Sequence, residues 1–586
     1  MDEIEPERLR RGDAALLTFF CLLLFGYSLV GGRPLSMHEA VLPQTSREMY
    51  ADHDWVIPKN GGRPWLENPP LPQWITVGVA SLFGHCDEVW IVRIPPAIMG
   101  TLSVLLVAWM ASVWFGRVQG MLSGLILATM HEFAQYSWLA EDEIFLCTLV
   151  TAAVAAVVRL EFVRPGGTTS EPTHFFARRS SSMLLLFVAL GCTNLAKGLV
   201  FGTAMAVIPI AGYLLWNRDL NRILPYFWCW GWLMYVAIAV AWPVAAWMRY
   251  PDVTDLWAFD HVGRLNGKYE DITQPVWYYA KVLPGLIAPW TPLALAGLWL
   301  TRRTAFSEAR SPERFLWCWA ILPPLVFSIP HGKHHHYLLH VLSPWAVLAV
   351  PALIRLHRWI LSWPERTRRP INSVVTLAIP GAIAIWVVGQ RIPGPEWLRP
   401  GLVVAWTIGS VAFSWGIGHR NGRIAAATLF SGLFAAFCTG HSFAGAFFDQ
   451  CRFDAAFFRQ VRNAVPADAQ LCVNGDFPAR MEDFRILFSM NDRTKSLFNL
   501  TFLADERLRR DEVFLITRHA DRRTLASYGE ADVILQSERT RREKSPDDRL
   551  TLFRLRFRDD LVRLPTDHVR VSPMQAMARE DGPYLR

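Results

Sequence analysis

The chain has 586 residues, 52% of them hydrophobic and 19% charged, with 26 Trp and 35 Phe. That composition excludes a soluble multidomain enzyme and indicates a membrane protein. The formal charge of +8 comes with Arg residues that recur in short clusters between apolar runs, a pattern that fixes membrane orientation, so no nucleic-acid partner is expected.

Apolar runs of roughly 17 to 25 residues are long enough to cross a bilayer. Taken in chain order they predict spans at 14–32, 91–115, 118–136, 143–162, 183–197, 199–216, 225–247, 277–299, 314–329, 337–354, 372–390, 401–417 and 424–442. The first, preceded by Arg8, Arg10 and Arg11, reads as an uncleaved anchor, because Gly31-Gly32-Arg33-Pro34 is a poor cleavage site. With the N-terminus inside, every inner loop is basic, as at Arg117, Arg218/Arg222, Arg302/Arg303 and Arg420/Arg423. Lys197-Gly198 splits one long apolar run and marks either a loop between two spans or a break within a single helix. The outer segments 33–90 and 248–276 are long and rich in charge and aromatic residues, and 131–142 and 330–336 are short and dense in ionisable groups. After about residue 444 hydrophobicity falls, and Glu512-Val513-Phe514-Leu515-Ile516 and Asp532-Val533-Ile534-Leu535 read as strands among charged, helix-like stretches. The expected fold is an α-helical polytopic membrane protein with about 13 transmembrane helices over 1–444, followed by a small extracytoplasmic α/β domain over 445–586. The nine Cys lack metal-ligand spacing and mostly sit in apolar runs; Cys451 and Cys472 are candidates for pairing outside the membrane.

The first outer loop carries Met37-His38-Glu39, Arg47-Glu48-Met49, Asp54-Trp55-Val56-Ile57-Pro58 and Glu67-Asn68-Pro69-Pro70-Leu71. A carboxylate at a membrane boundary can serve as a general base or orient a cation, and Glu39 and Glu67 are candidates. Each reads equally well as a solvated loop acid or a helix cap.

The order of these elements over residues 14 to about 350 resembles the protein O-mannosyltransferase and aminoarabinose transferase (ArnT-like) superfamily of GT-C glycosyltransferases. In that family the loop opens Asp-Glu, continues Arg-Glu-Met and closes Glu-Lys-Pro-Pro-Leu. Counting back from Arg47 places His38 at the family's catalytic Asp and Glu39 at its neighbour. Glu67 matches an acid that can ligate a metal, and Asn68 stands where a phosphate-binding Lys is usual.

The remaining clusters fit the same resemblance. Glu141-Asp142-Glu143 lies close to a second conserved acid, with Asp142 or Glu143 as the match; three adjacent acids are otherwise a common helix N-terminal cluster. Gly191-Cys192-Thr193-Asn194-Leu195-Ala196-Lys197-Gly198 resembles a Gly-x-x-x-x-x-Lys-Gly segment, and Lys197 between apolar runs is costly unless paired or wet; its alternative reading is a snorkelling interfacial Lys. Phe259-Asp260-His261-Val262-Gly263-Arg264 resembles His-x-x-Arg-Phe, implying a cation contact for His261 and a donor-phosphate contact for Arg264. Three consecutive His at 334–336 are a weak metal signal, because adjacent side chains do not converge. The segment Lys-x-x-His-Tyr-x-Leu-Pro fits Lys333, His336 and Tyr337 better, and implies that Lys333 and Tyr337 hold a polyprenyl phosphate.

The resemblance thus implies a hexosyl- or pentosyltransferase, facing outward from a bacterial cytoplasmic membrane, that takes a sugar from a polyprenyl-phosphate donor to a lipid, glycan or protein acceptor. The resemblance also implies a divalent cation at Glu67 and His261, and no organic cofactor is expected. The competing class is a transporter or lipid flippase, which would place more ionisable residues at mid-membrane and show internal repeats; only Lys197 fits that description. A non-catalytic scaffold is a third reading, prompted by His38 and Asn68.

Overall fold

A computed structural model describes residues 8–30, 34–163, 170–171, 174–176, 178–258, 273–364, 379–389, 398–418, 422–451, 454–475, 481–490, 494–497, 499–503, 506, 511–538 and 546–558. Its contacts divide the chain into two units, one made of 1–30, 93–243 and 264–443, the other of 31–92, 244–263 and 444–586.

The first unit is helical. Among the described residues five helices are long and apolar enough to cross a membrane, Arg11–Leu29, Val89–Phe115, Glu143–Val163, Cys229–Arg249 and His335–Ser362, and Tyr278–Ile287 with Thr291–Ser307 form a bent pair. Shorter apolar helices cover Ser181–Lys197, Phe201–Asn217 and Gly422–Cys438. The chain is therefore an integral membrane protein. Trp230, Leu233, Val236 and Val240 remain exposed along one helix, and their spacing of three to four residues makes an apolar stripe suited to lipid. Inner faces pack through small residues: a Cβ added at Gly297 would lie 1.6 Å from the Leu348 carbonyl oxygen, so that helix pair approaches backbone to backbone.

Two features differ in detail from the expected spans. Residues 118–136 form two helices, Arg117–Ala128 and His131–Trp138. Residues 277–299 form the pair bent by 110°. The two breaks meet, with the His131 amide donating to the Ala288 carbonyl at 2.8 Å and the Trp290 indole to Thr129 Oγ1 at 3.0 Å. Backbone that leaves a helix within apolar surroundings needs such partners, and composition does not reveal where they are. At Lys197-Gly198 the run divides into two helices, with Gly198 at φ 94° closing the first, a conformation glycine adopts without a Cβ penalty. The predicted span at 372–390 falls partly outside the described residues.

The second unit contains a five-stranded sheet in the order Lys495–Leu497, Leu471–Asn474, Glu512–Arg518, Leu550–Phe557, Gly529–Gln536. The first three strands run parallel and the last two pair antiparallel. The segments expected as strands around 512–516 and 532–535 are both in it. Phe457, Phe458, Val461, Ile486 and Leu487 from two helices cover one face over Leu471, Val473, Phe514 and Ile516. Cys472 is buried in the opposite layer with Val513, Leu515 and Phe553, and the Cys451 side chain lies outside the described residues. The first-loop segment contributes helices Val41–Asp52 and Leu71–Ala80 and a two-stranded hairpin pairing Lys59 with Pro64 and Asn60 with Arg63.

Candidate active site

In the helical unit, ionisable residues converge where three elements end or begin. Helix Glu143–Val158 opens with Asp142 at its N-cap position, helix Ser181–Lys197 closes with its lysine, and the 3₁₀ segment His335–Val341 follows Lys333. Lys197 Nζ lies 2.6 Å from Glu143 Oε1, and His336 Nε2 lies 3.4 Å from the same oxygen. Both partners of the Lys197–Glu143 pair are largely buried, with side-chain exposures of 15% and 10%. A lysine and a glutamate there are each tolerated only because the other is present. With Phe201, Tyr337 and His340 these residues line one small cleft, and the Phe201 ring packs edge-on against Tyr337 at 4.9 Å.

Asp142 is buried beside this pair. Burial pushes its carboxyl up to about 7, with Lys197 opposing the shift and Glu143 adding to it. Two adjacent acids therefore have different surroundings: Glu143 holds Lys197, and Asp142 is shifted upward by burial.

A second pair borders the cleft. His335 Nδ1 sits 2.5 Å from Glu132 Oε1, with the carboxylate buried and the imidazole half exposed. Tyr136 stands 6.4 Å from the His335 ring and 6.0 Å from that of His336, while His334 stacks on His336 at 4.9 Å. The three consecutive histidines thus go separate ways, His335 to Glu132 and His336 to Glu143. Lys333 is buried and donates from Nζ to the Gln274 carbonyl at 2.8 Å; burial lowers its pKa. The neighbouring backbone is tied by a bridge between Thr273 and Gly332.

Of the sequence-predicted residues, Asp142, Glu143, Lys197 and Tyr337 come together, and Lys333 precedes the same 3₁₀ segment. His261 and Arg264 lie outside the described residues. In the other unit, Glu39 is fully buried in a capping box: the Ser36 amide donates to Glu39 Oε2 at 3.2 Å and the Glu39 amide donates to Ser36 Oγ at 3.2 Å. His38 is exposed, and Glu67 and Asn68 are half-buried. The Trp257 indole donates to the Leu66 carbonyl at 2.8 Å, joining the second outer segment to the first. Among the described residues no three His, Cys, Asp or Glu side chains are grouped to hold a metal ion. Sequence reasoning missed Glu132, whose signal was an acid within an apolar run.

A helical membrane unit with buried ion pairs at helix ends, together with a mixed-sheet domain, has a counterpart among solved membrane proteins. The fold superimposes on ArnT from Cupriavidus metallidurans bound to undecaprenyl phosphate with a TM-score of 0.69, covering 92% of this chain and 98% of that one at 21% identity.

Sequence narrows the relationship further. Residues 67–247 match the dolichyl-phosphate-mannose-protein mannosyltransferase family. The undecaprenyl phosphate-alpha-4-amino-4-deoxy-L-arabinose arabinosyl transferase of Aeromonas salmonicida is 31% identical over 358 residues, 58% of this chain and 60% of that protein. A transferase of the same description from Proteus mirabilis is 27% identical over 423 residues, 70% of this chain and 71% of its own length. The chain is thus similar, over part of its length, to transferases of this description.

Proposed function

We propose that the chain is a glycosyltransferase that moves a sugar, by its relatives' names an aminopentose, from a polyprenyl-phosphate carrier to a lipid, glycan or protein acceptor. The reaction would take place at the outer face of a bacterial cytoplasmic membrane. The observation that carries the reading is the buried Lys197–Glu143 pair facing Tyr337 in one cleft, in a chain whose relatives are named for an undecaprenyl-phosphate-linked donor.

In this reading Lys197, Lys333, Tyr337 and Arg264 bind the donor phosphate. Lys197 gives one hydrogen bond to Glu143 and keeps two N–H groups for phosphate oxygens. The acceptor hydroxyl attacks the anomeric carbon, forming the new C–O bond, and the phosphate oxygen departs with the electron pair of the bond that breaks. These cations and donors stabilise the charge that develops on it. The hydroxyl proton passes to a carboxylate, and Asp142 is suited because its pKa near neutrality balances proton affinity against ionised population. Glu39, with His38 beside it, remains a candidate base on sequence grounds. An anionic acceptor would need no base. The expected count of about 13 spans and the division at 444 belong to the same reading.

Mass spectrometry of lipids, glycolipids and glycoproteins from cells with and without the protein tests the proposal. A sugar-sized mass difference on one acceptor class is expected, absent in Lys197→Met. Identical profiles, with the protein inserted and the donor present, would refute it.

A further inference from the structure

The first-loop segment and the C-terminal domain are more than 400 residues apart in sequence, yet the contacts between them concentrate on one short helix, Glu482–Ser489. At its C-terminal end, Arg47 reaches three backbone carbonyls: Nη2 donates to Leu487 at 2.9 Å, and Nη1 to Phe488 at 3.2 Å and Met490 at 3.0 Å. Terminal helix carbonyls lack intrahelical partners and carry the negative end of the dipole, so a guanidinium is well matched to them. Its plane also lies 5.3 Å from the Phe488 ring. At the N-terminal end, Asp483 Oδ2 accepts from Asn60 Nδ2 at 2.7 Å and from Arg63 Nη2 at 2.8 Å. Between the two ends, the Trp65 ring meets Phe484 edge-on at 4.7 Å.

A further contact joins the hairpin to the sheet. The Ser496 amide donates to the Gly61 carbonyl at 3.2 Å, and a Cβ at Gly61 would sit 2.5 Å from that amide nitrogen. Gly61 also has a φ of 62°, so both the close approach and the conformation require glycine. Glu48, next to Arg47, accepts from the Gly61 and Gly62 amides at 2.5 and 2.9 Å and so fastens the hairpin to helix Val41–Asp52.

Helix Val41–Asp52 begins two residues after Glu39, and the six residue steps from Val41 to Arg47 correspond to about 9 Å of rigid rise. We infer that helix Glu482–Ser489 is a strut that sets the position of the Glu39-bearing segment. Arg47 holds one end of the strut and Asp483, with Asn60 and Arg63, holds the other; both are positioning residues. The C-terminal domain thereby acts on sugar transfer without touching the reacting atoms. This inference rests on the transferase reading.

The test uses the purified full-length protein and its Arg47→Gln, Arg47→Ala and Asp483→Asn variants, with transfer kinetics and hydrogen exchange measured on each. Expected are kcat values reduced tenfold or more, donor KM within twofold of wild type, and faster exchange over 36–64 while strand 512–518 stays protected. Added methylguanidine should restore part of the rate in Arg47→Ala and none in Asp483→Asn. Wild-type kcat in both Arg47→Gln and Asp483→Asn, or unchanged exchange over 41–52, would overturn the strut. If a variant fails to fold, the strut is judged on the remaining one by the same readouts. A wild-type protein that transfers nothing would defeat the transferase reading, and the strut would then stand or fall on the exchange data.

Discussion

Replacing Lys197 by Met separates its two roles, structural and chemical. The lysine is 2.6 Å from Glu143, with both side chains largely buried, and removing one partner of a buried pair typically costs about 3–5 kcal/mol because the other charge is left uncompensated. His336 at 3.4 Å from Glu143 compensates in part, so the lower end of that range is expected. Changing Glu143 to Gln at the same time removes the stranded charge and should recover most of the stability. The proposed contact with the donor phosphate would not be recovered. A charged hydrogen bond contributes about 1.5–3 kcal/mol, so donor KM should rise roughly ten- to hundredfold in the single and double variants alike. Thermal unfolding in detergent and initial rates against donor concentration read the two effects separately. A double variant with wild-type donor KM would refute the phosphate-binding role of Lys197.

Asp142 is expected to make stability and rate respond to pH. Burial pushes its carboxyl up to about 7 in the folded chain, above the usual carboxylate range, so the folded state holds the proton more tightly. Its contribution favours folding at low pH and is lost as pH rises from about 4 to about 7; Asp142→Asn should flatten that part of the stability profile. As a base it must be ionised, so transfer should increase as pH passes through about 7, and this rise should vanish in the variant. Arg264→Ala and Glu39→Gln are each expected to abolish transfer while the protein still inserts, as checked by membrane fractionation and activity; full activity in both would remove those assignments. Gly297→Leu should destabilise the helical unit by about 1–3 kcal/mol or more, because the new side chain meets the Leu348 carbonyl; an unfolding midpoint equal to wild type would contradict that packing.

Much of the candidate site was legible in the sequence because the membrane makes polar residues conspicuous. Lys197 stood out between apolar runs, and its buried partner Glu143 came from a recognised acidic cluster, although spacing alone did not choose between Asp142 and Glu143. Packing chose by giving one a lysine and leaving the other to be shifted by burial. Glu132 was hidden because an apolar count absorbs a single acid and cannot place a helix break at Thr129. The 110° bend after Ile287 escaped for the same reason, since composition reports length and not direction. Arg47 was recognised as part of a motif, but its partners at 487–490 are remote in sequence, and no local pattern encodes such a pairing. The strands near 512 and 532 were readable from apolar residues between charged segments, whereas their order in the sheet was not.

The central claim is transfer from a polyprenyl-phosphate donor, and the most direct measurement is reconstitution. The purified chain would be placed in vesicles with a polyprenyl phosphate carrying a labelled aminopentose and with extracted envelope lipids as acceptor. Label should move to the acceptor as polyprenyl phosphate is released in equal amount, and both should stop in Lys197→Met and Arg264→Ala. Label that stays on the donor with folded wild-type protein, or transfer that persists unchanged in both variants, would contradict the account.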